Sequence, residues 1–410
     1  MLYNAYEFQQ AWLSGVSSLA ASGATLLRHS ATPWKYGILG PQAANALEVF
    51  AHATANYEKP EFGITEVTIE NQHYAVEETT CLKKPFGNLK RFHHEGLKAD
   101  VSPLLIIAPM SGHYATLLRG TVERMLESCE VYITDWADAK TVPLSEGNFD
   151  LDNYIDYTIE FLDHIHKLKG RPVHVMAVCQ PSVPAFIATA ILNARNAPSA
   201  PRSLTMMGGP IDTRLNPTAV NKIAIERPIE WFRQSVIAQV PKGHPGAGRR
   251  VYPGFLQLTG FMSMNLASHI MSHYEMFKDL GGGNFERVQA TKSFYEEYRS
   301  VSDMTAEFYL QTVEKVFQKH ALPKGEFLYR DQKIDPAWIT KTALLAIEGG
   351  RDDISGLGQT AAALELATLL PESKKSYHIA EEVGHYGIFN GSKWRHEIAP
   401  RVERFMEANP

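Results

Sequence analysis

A cysteine, an aspartate and a histidine occur in this sequence in an order and setting that suit acyl transfer. Cys179 lies in "VMAVCQPSVPAFIA" (residues 175–188), Asp352 follows "TALLAIEGG", and His385 follows "SYHIA". In such a set the thiolate attacks a carbonyl carbon, the imidazole moves the proton, and the carboxylate holds the imidazole in one tautomer. The sequence predicts a catalytic triad of these three residues. Asp353 is the alternative acid, and Asp352 is favoured because it comes first after the turn that ends the apolar run.

The corner around Cys179 has the pattern of a nucleophile elbow in which G-x-S-x-G has become Ala177-Val178-Cys179-Gln180-Pro181. Ala177 is small enough for the following helix to pack closely on the strand. Pro181 falls in the first helical turn, where a backbone donor has no partner within the helix. A thiol at a helix N-terminus beside an imidazole ionises more readily than a free one, which would make Cys179 a better nucleophile.

An acyl-transfer site also needs donors for the oxyanion. The backbone N–H of Gln180 is one candidate, and the loop "APMSGHYATLLRG" offers those of Met110 and Ser111, between which the sequence does not decide. His113 in the same loop, Trp136 at the end of "EVYITDW" and Tyr252 in a later aromatic-rich segment are expected to contact substrate. The alternative for Trp136 is that it merely ends a strand, and for Tyr252 that it belongs to a local core.

The elements that would position these residues are short apolar runs alternating with helical patterns. The runs are "PLLIIAP", "EVYITDW", "PVHVMAV", "SLTMMGG", "TALLAIEGG" and "SYHIA". This alternation predicts an α/β fold with a mostly parallel sheet covered on both faces, and ligands collect at the carboxyl ends of such strands. Together with the order nucleophile, acid, histidine, it predicts the α/β-hydrolase fold. An antiparallel hairpin is expected around Asn71, in "ITEVTIENQHYAVEETTCL".

The same patterns divide the chain into four parts. Residues 1–60 are predicted to form a helical arm, residues 61–212 the first part of the hydrolase core, and residues 336–410 its second part. Residues 213–335 are rich in helical periodicity and aromatic residues, and they are too long for an ordinary loop. We expect them to form a helical cap inserted into the core.

Composition and charge exclude several classes of function. The 410 residues carry 40 Lys plus Arg against 45 Asp plus Glu, so no basic field would recruit nucleic acid. Three cysteines without C-x-x-C spacing favour neither a disulfide framework nor a zinc site, and His93-His94 and His164/His166 have no further ligand at metal-binding spacing. No metal is expected. No leader-like or membrane-spanning apolar run occurs, which predicts a soluble, cytoplasmic protein.

Five stretches of the sequence resemble the intracellular poly(3-hydroxybutyrate) depolymerases, α/β hydrolases with a cysteine nucleophile. They are "MAVCQPSVP", "IIAPMSGHYATLLRGTVE", "VYITDWADAKTVP", "EGGRDDISGLGQT" and "EEVGHYGIFNGSKWR". The resemblance covers most of the chain from residue 103 onward. It implies cleavage of polyester in storage granules inside the cell, with Cys179, Asp352 and His385 as nucleophile, acid and base. No cofactor is implied, although coenzyme A is an alternative acyl acceptor to water. On frequency alone a homodimer is expected.

Two other functions are compatible with the same residues. A polyhydroxyalkanoate synthase would run the chemistry towards polymer, although synthases typically keep a glycine after the cysteine where this chain has "CQP". A catalytically silent granule-binding protein could retain the fold without the activity. Polymer formed from a supplied hydroxyacyl thioester would identify the synthase. A Cys179 thiol that reacts slowly with a thiol reagent would identify the silent binding protein.

Overall fold

The computed structural model describes residues 2–29, 39–98, 101–264 and 266–410. It begins with helices α1 (Leu2–Arg28) and α2 (Leu39–Thr54), which pack against each other. The buried hydroxyl of Ser17 donates to the carbonyl oxygen of Ala51 across this contact at 2.7 Å. Residues 30–38 of the predicted arm lie outside the described part of the chain.

The predicted hairpin around Asn71 is confirmed. Strands β1 (Glu66–Ile69) and β2 (Gln72–Ala75) pair antiparallel, with Glu70 and Asn71 forming the turn at φ values of 49° and 65°. Both turn residues therefore have the left-handed backbone that a tight two-residue hairpin requires. The end of the predicted segment, "EETTCL", belongs instead to β3 of the main sheet.

The first part of the core alternates strands and helices. It consists of β3 (Glu77–Leu82), β4 (Gly87–His93), β5 (Pro103–Ile107), α3 (Arg119–Leu126), β6 (Glu130–Trp136), α4 (Leu151–Lys169), β7 (His174–Val178), α5 (Ser182–Ala194) and β8 (Ser203–Met207). Helix α4 begins at a reciprocal capping box between Asp150 and Asn153, and it ends at Gly170, whose φ is 66°.

Between β8 and the next core strand the chain is mostly helical. The elements are α6 (Ala219–Glu226), α7 (Ile229–Ser235), β9 (Ala238–Gln239), β10 (Arg250–Tyr252), α8 (Gly254–Met264), α9 (Leu266–Gly282), α10 (Phe285–Arg299), β11 (Met304–Thr305), α11 (Ala306–Thr312), β12 (Leu328–Tyr329) and β13 (Gln332–Lys333). We refer to residues 213–335 as the cap, and the division of the chain into four parts remains a prediction.

The core then resumes and completes one eight-stranded sheet. Its last elements are β14 (Ala343–Gly349), α12 (Ala362–Leu366), β15 (Lys375–Ala380), α13 (Gly391–Lys393) and α14 (Ala399–Glu407). The strand order is β15-β14-β8-β7-β5-β6-β4-β3, in which β4 runs antiparallel to both neighbours and the strands from β6 to β15 pair parallel. This order and these directions confirm the α/β-hydrolase fold.

Strands β5 to β8 and β14 are buried along their whole length, which explains why each reads as a continuous apolar run. The chain leaves β5 towards β6 on one side and then crosses to β7 on the other. Ligands of open α/β sheets bind where the strand order reverses in this way. The loops after β5 and β7 are therefore the two that flank the expected site. None of the described helices is both long and apolar enough to cross a membrane.

Candidate active site

The corner after β7 holds Cys179 in the conformation of a nucleophile elbow. Its φ is 67°, a left-handed value that costs a non-glycine residue about 1–2 kcal/mol. Hydrogen bonds hold this conformation in place. The Cys179 N–H donates to Met207 O at 2.7 Å, and the Ser182 N–H donates to Cys179 O at 3.0 Å. Helix α5 begins at Ser182 with Pro181 as its N-cap, so the proline stands where it breaks no helical hydrogen bond. Cys179 is partly exposed.

Two glycines after β8 make room for this corner. A Cβ at Gly209 would overlap the side chain of Ser182 and come 3.1 Å from Cys179 O. A Cβ at Gly208, whose φ is 59°, would lie 3.0 Å from His385 Cε1 and 3.2 Å from Asp352 Oδ2. Sequence reasoning did not assign either glycine to the site. The signal was the pair "GG" at the end of an apolar run, where a close approach of backbone to backbone requires the absence of a side chain.

The structure brings Asp352 and His385 together in a buried pair. Asp352 Oδ2 lies 2.7 Å from His385 Nδ1, and both side chains are almost fully buried. The other carboxylate oxygen, Oδ1, accepts hydrogen bonds from the N–H groups of Ile354 and Ser355, each at 2.8 Å. These two donors fix the orientation of the carboxylate towards the imidazole. The neighbouring Asp353 is exposed.

His385 lies between this carboxylate and the Cys179 sulfur. Burial by itself would lower the pKa of His385, but Cys179 and Asp352, as charges and as hydrogen-bond partners, raise that pKa well above its ordinary value. Because Nδ1 faces Asp352, Nε2 is the nitrogen left to face the sulfur. The arrangement therefore places a proton-carrying imidazole between a thiol and a carboxylate, as nucleophilic acyl transfer requires.

The loop after β5 reaches the elbow through Gln180. The Met110 N–H, one predicted oxyanion donor, donates to the side-chain Oε1 of Gln180 at 3.1 Å. Gln180 carries a second predicted donor, its own backbone N–H. The N–H groups of Gln180 and Ser111 have no acceptor within the described residues. All three predicted backbone donors thus lie in the loop and the elbow that flank the Cys179 sulfur.

Trp136 is buried in the core at the end of β6. Its side chain is 4% exposed, and its ring packs against Tyr154 and Phe149. Its indole N–H donates to Ala108 O at 2.8 Å, and the Tyr154 hydroxyl donates to the same oxygen at 3.0 Å. The side chain of this last β6 residue faces the core, and its contact with a substrate stays a prediction. Trp136 instead anchors the start of the Met110 loop.

His113 likewise supports the loop from behind. It is 4% exposed, and its Nε2 lies 3.1 Å from Tyr298 O in helix α10. Since a carbonyl oxygen only accepts, Nε2 carries the proton. Burial lowers the pKa of His113 to about 4, so the ring is neutral at neutral pH. His113 thus contacts the cap through Tyr298, and its contact with a substrate stays a prediction.

Tyr252 lies in the cap against Tyr309, with ring centroids 4.0 Å apart. Burial raises the pKa of Tyr252 to about 12. Its contact with a substrate stays a prediction.

Tyr386, which interacts with Cys179, and its neighbour Tyr298 were not predicted from the sequence. Burial raises the pKa of Tyr386 well above its ordinary value, and the neighbouring Tyr298 and Cys179 add to the shift. The rings of Tyr386 and Tyr298 lie edge to face, 6.0 Å apart, so a core residue next to His385 meets a cap residue here. The available signal was the tyrosine that directly follows the histidine in "GHYG".

The described residues contain no group of three or more His, Cys, Asp or Glu side chains arranged to hold a metal ion. The three cysteines are all free, with Cys129 buried and Cys81 partly exposed. Burial raises the pKa of the Cys129 thiol to about 12 and also raises that of Cys81, so neither is activated.

Comparison with known proteins gives a family match over just under half of the chain. Residues 208–410 match the family model described as the PHB depolymerase C-terminus, a region that contains Asp352 and His385. No curated protein matches the chain. Similar solved structures include carboxylesterase CesB from Bacillus subtilis, 12% identical, covering 82% of this chain and 93% of that chain with a TM-score of 0.41. Another is 2-hydroxy-6-oxo-6-phenylhexa-2,4-dienoate hydrolase from Rhodococcus sp. strain RHA1, 13% identical, covering 81% of this chain and 100% of that chain with a TM-score of 0.43.

Proposed function

Since the chain is a PHB depolymerase-like α/β hydrolase, and so an ester hydrolase, we propose that it cleaves poly(3-hydroxybutyrate) with Cys179 as its nucleophile. His385 is the general base and acid, and Asp352 orients it. The observation that carries this proposal is the position of His385, hydrogen-bonded to Asp352 at 2.7 Å and with its pKa raised jointly by Cys179 and Asp352 despite its burial. The raised pKa makes His385 a ready acceptor for the proton of the Cys179 nucleophile.

The reaction is acyl transfer in two steps. The Cys179 sulfur attacks the ester carbonyl carbon as its proton passes to His385, and N–H groups of the Met110 loop and of Gln180 stabilise the oxyanion that forms. As the carbon–oxygen bond breaks, His385 gives its proton to the departing alcohol end of the polymer, which leaves a thioester on Cys179. Water then attacks the thioester carbon while His385 takes the water's proton. The carbon–sulfur bond breaks, and a 3-hydroxybutyrate unit or oligomer leaves as the acid.

Two exposed apolar faces support contact with a neutral polymer surface. On α1 the exposed side chains are Phe8, Trp12, Leu19 and Leu26, and on α9 they are Leu266, Ile270, Met271 and Tyr274. Both helices pack against α2. Residues 8–27 and 251–274 contain no Asp, Glu, Lys or Arg, although 21% of the chain is charged. An uncharged polyester offers no partner for charged side chains, so we propose that these faces bind the granule.

The catalytic proposal is tested on amorphous poly(3-hydroxybutyrate), with loss of turbidity and release of 3-hydroxybutyrate as readouts. We expect Cys179→Ala to lower the rate at least about 10³-fold, since the variant has no nucleophile to activate. Cys81→Ala is the matched control, because Cys81 is also partly exposed but lies on the edge strand β3. A Cys179→Ala protein that degrades polymer at the wild-type rate would refute the assignment.

The same assay separates the alternatives. Added coenzyme A that appears as the hydroxyacyl thioester identifies a thiol as acceptor. Polymer formed from that thioester identifies a synthase, and stable granule binding without turnover identifies a silent binding protein.

For the surface, we expect a Phe8→Ser, Trp12→Ser double variant to bind granules more weakly and to keep its activity on a soluble ester. Leu369→Ser, at another exposed leucine, serves as the control. Unchanged granule binding in the double variant would contradict the proposed surface.

A further inference from the structure

Gln180 occupies the oxyanion region with both its backbone and its side chain. Its N–H follows the nucleophile, where an elbow supplies its oxyanion donor. Its side-chain Oε1 accepts the Met110 N–H at 3.1 Å. Each backbone N–H carries one hydrogen, so the Met110 donor cannot give a full hydrogen bond to an oxyanion while it is held by Oε1. In the resting structure a carbonyl oxygen from the protein itself therefore takes the bond that a substrate oxygen would need.

We propose that the Gln180 side chain is a displaceable plug of the oxyanion hole, which an incoming ester carbonyl must turn aside. This inference rests on the proposed function, because it assigns a role within that same site. In the closed form the carboxamide oxygen imitates the substrate carbonyl. In the open form the N–H groups of Met110 and Gln180 both point to the reacting oxygen.

The Gln180 side chain is held by fewer hydrogen bonds than the loop, so we infer that the side chain is the part that turns aside. The loop is fixed at its start, where Ala108 O accepts hydrogen bonds from Trp136 and Tyr154. It is fixed at its other end by Gly112 O, which accepts from the Ser302 N–H at 2.7 Å. By contrast, the bond to Met110 is the one hydrogen bond that the Gln180 side chain makes within the described residues, and Gln180 is partly exposed.

Only molecules with the plug open can bind an ester productively. The apparent affinity for any ester is therefore reduced in proportion to the open fraction. A neutral hydrogen bond of ordinary net strength favours the closed form about fivefold. A long polymer segment, which binds through several units, can overcome this factor, whereas a small ester has little other binding energy to offer. A polymer segment that saturates the site is therefore turned over at the full rate, whereas a small ester below saturation is slowed by the whole factor.

The experiment measures kcat and KM separately on p-nitrophenyl butyrate. We expect Gln180→Ala to lower KM about fivefold and to raise kcat/KM correspondingly, because the backbone donor remains and the acceptor is gone. Gln180→Asn should act in the same direction, since its shorter side chain cannot reach Met110. Gln332→Ala, at an exposed glutamine of β13, should change neither constant.

Gln180→Glu should have the opposite effect. Its carboxylate accepts the Met110 N–H more strongly and repels the developing oxyanion, so kcat/KM should fall at least about tenfold. The loss should diminish as the pH is lowered and the new carboxyl is protonated, a pH dependence that a merely structural role would not produce.

A rise in KM or a tenfold fall in kcat for both Gln180→Ala and Gln180→Asn would overturn the plug. It would show that the side chain instead holds the Met110 loop in its active position. A failure of the proposed function has a different signature, in which the wild-type protein itself shows no ester hydrolysis that depends on Cys179.

Discussion

Replacing Asp352 with asparagine tests whether the carboxylate sets the tautomer of His385. Asp352 Oδ1 accepts from two backbone N–H groups, those of Ile354 and Ser355, while Oδ2 faces His385 Nδ1. Backbone N–H groups only donate, so the asparagine oxygen must take the Oδ1 position and its amide NH₂ must face the ring. That NH₂ can bond only to an unprotonated Nδ1. The ring proton then moves to Nε2, the nitrogen that has to accept the proton of Cys179.

The expected loss of activity follows from the charge pair. With nitrogen and oxygen 2.7 Å apart, the attraction between an imidazolium and a carboxylate is about 6 kcal/mol at an effective dielectric constant of 20, which sets an upper limit. A fall in kcat of about 10³- to 10⁴-fold corresponds to about 4–5.5 kcal/mol and lies within that limit. Because the substitution keeps the shape of the side chain, we expect the fold to be retained.

Polymer turnover by Asp352→Asn is compared with that of Asp353→Asn, which changes the adjacent exposed carboxyl. We expect the control to keep most of its activity. NMR titration of the imidazole should also show a lower pKa for His385 in Asp352→Asn, since Asp352, which together with Cys179 raises that pKa, has lost its charge. If Asp352→Asn keeps more than about a tenth of the wild-type kcat, the tautomer argument is refuted.

Two further perturbations have expected outcomes of different kinds. Burial, followed by the charge of Asp138, raises the pKa of Asp303 to about 6. Ionisation of Asp303 therefore destabilises the folded state above that pH, and this destabilisation is lost as the pH falls towards 4. Urea unfolding should therefore show a gain in stability from pH 7 to pH 5 that is smaller in Asp303→Asn, and an equal gain would contradict the assignment. Gly208→Ala should lower kcat at least about tenfold because its Cβ would lie 3.0 Å from His385 Cε1. Gly283→Ala is the control, because Gly283 also has a positive φ but a Cβ there would have no neighbour within 4 Å. An equal loss of kcat in this control would show that displacement of the His385 ring is not the cause.

The sheet and the order of the site residues could be predicted because both depend on local sequence. A strand buried on both faces has a continuous apolar run, and β5 to β8 and β14 all have one. The edge strand β3, with "EETTCL", lacks such a run and was grouped with the hairpin. The strands of two or three residues in the cap, such as β9 and β10, are too short for any periodicity to be recognised.

The directions of side chains could not be predicted in the same way. Trp136 and Cys179 both stand at the carboxyl ends of strands, yet the tryptophan faces the core and the cysteine faces the site. Position along a strand gives the edge of the sheet but not the face, because neighbouring side chains alternate. The contact between Gln180 and Met110 joins residues far apart in sequence, and no local pattern in either segment announces it.

Trp136 and His113, two predicted substrate contacts, show how the Met110 loop is held. Trp136 and Tyr154 bind the carbonyl oxygen of Ala108 from the core, and His113 donates to Tyr298 O in the cap. A loop tied to the core at one end and to the cap at the other can present its N–H groups only when both attachments are in place. The cap therefore helps to hold the proposed oxyanion donors, in addition to any contact it makes with polymer. Loss of the His113 contact would disturb the loop without touching the triad, so its effect belongs to oxyanion stabilisation and not to the nucleophile.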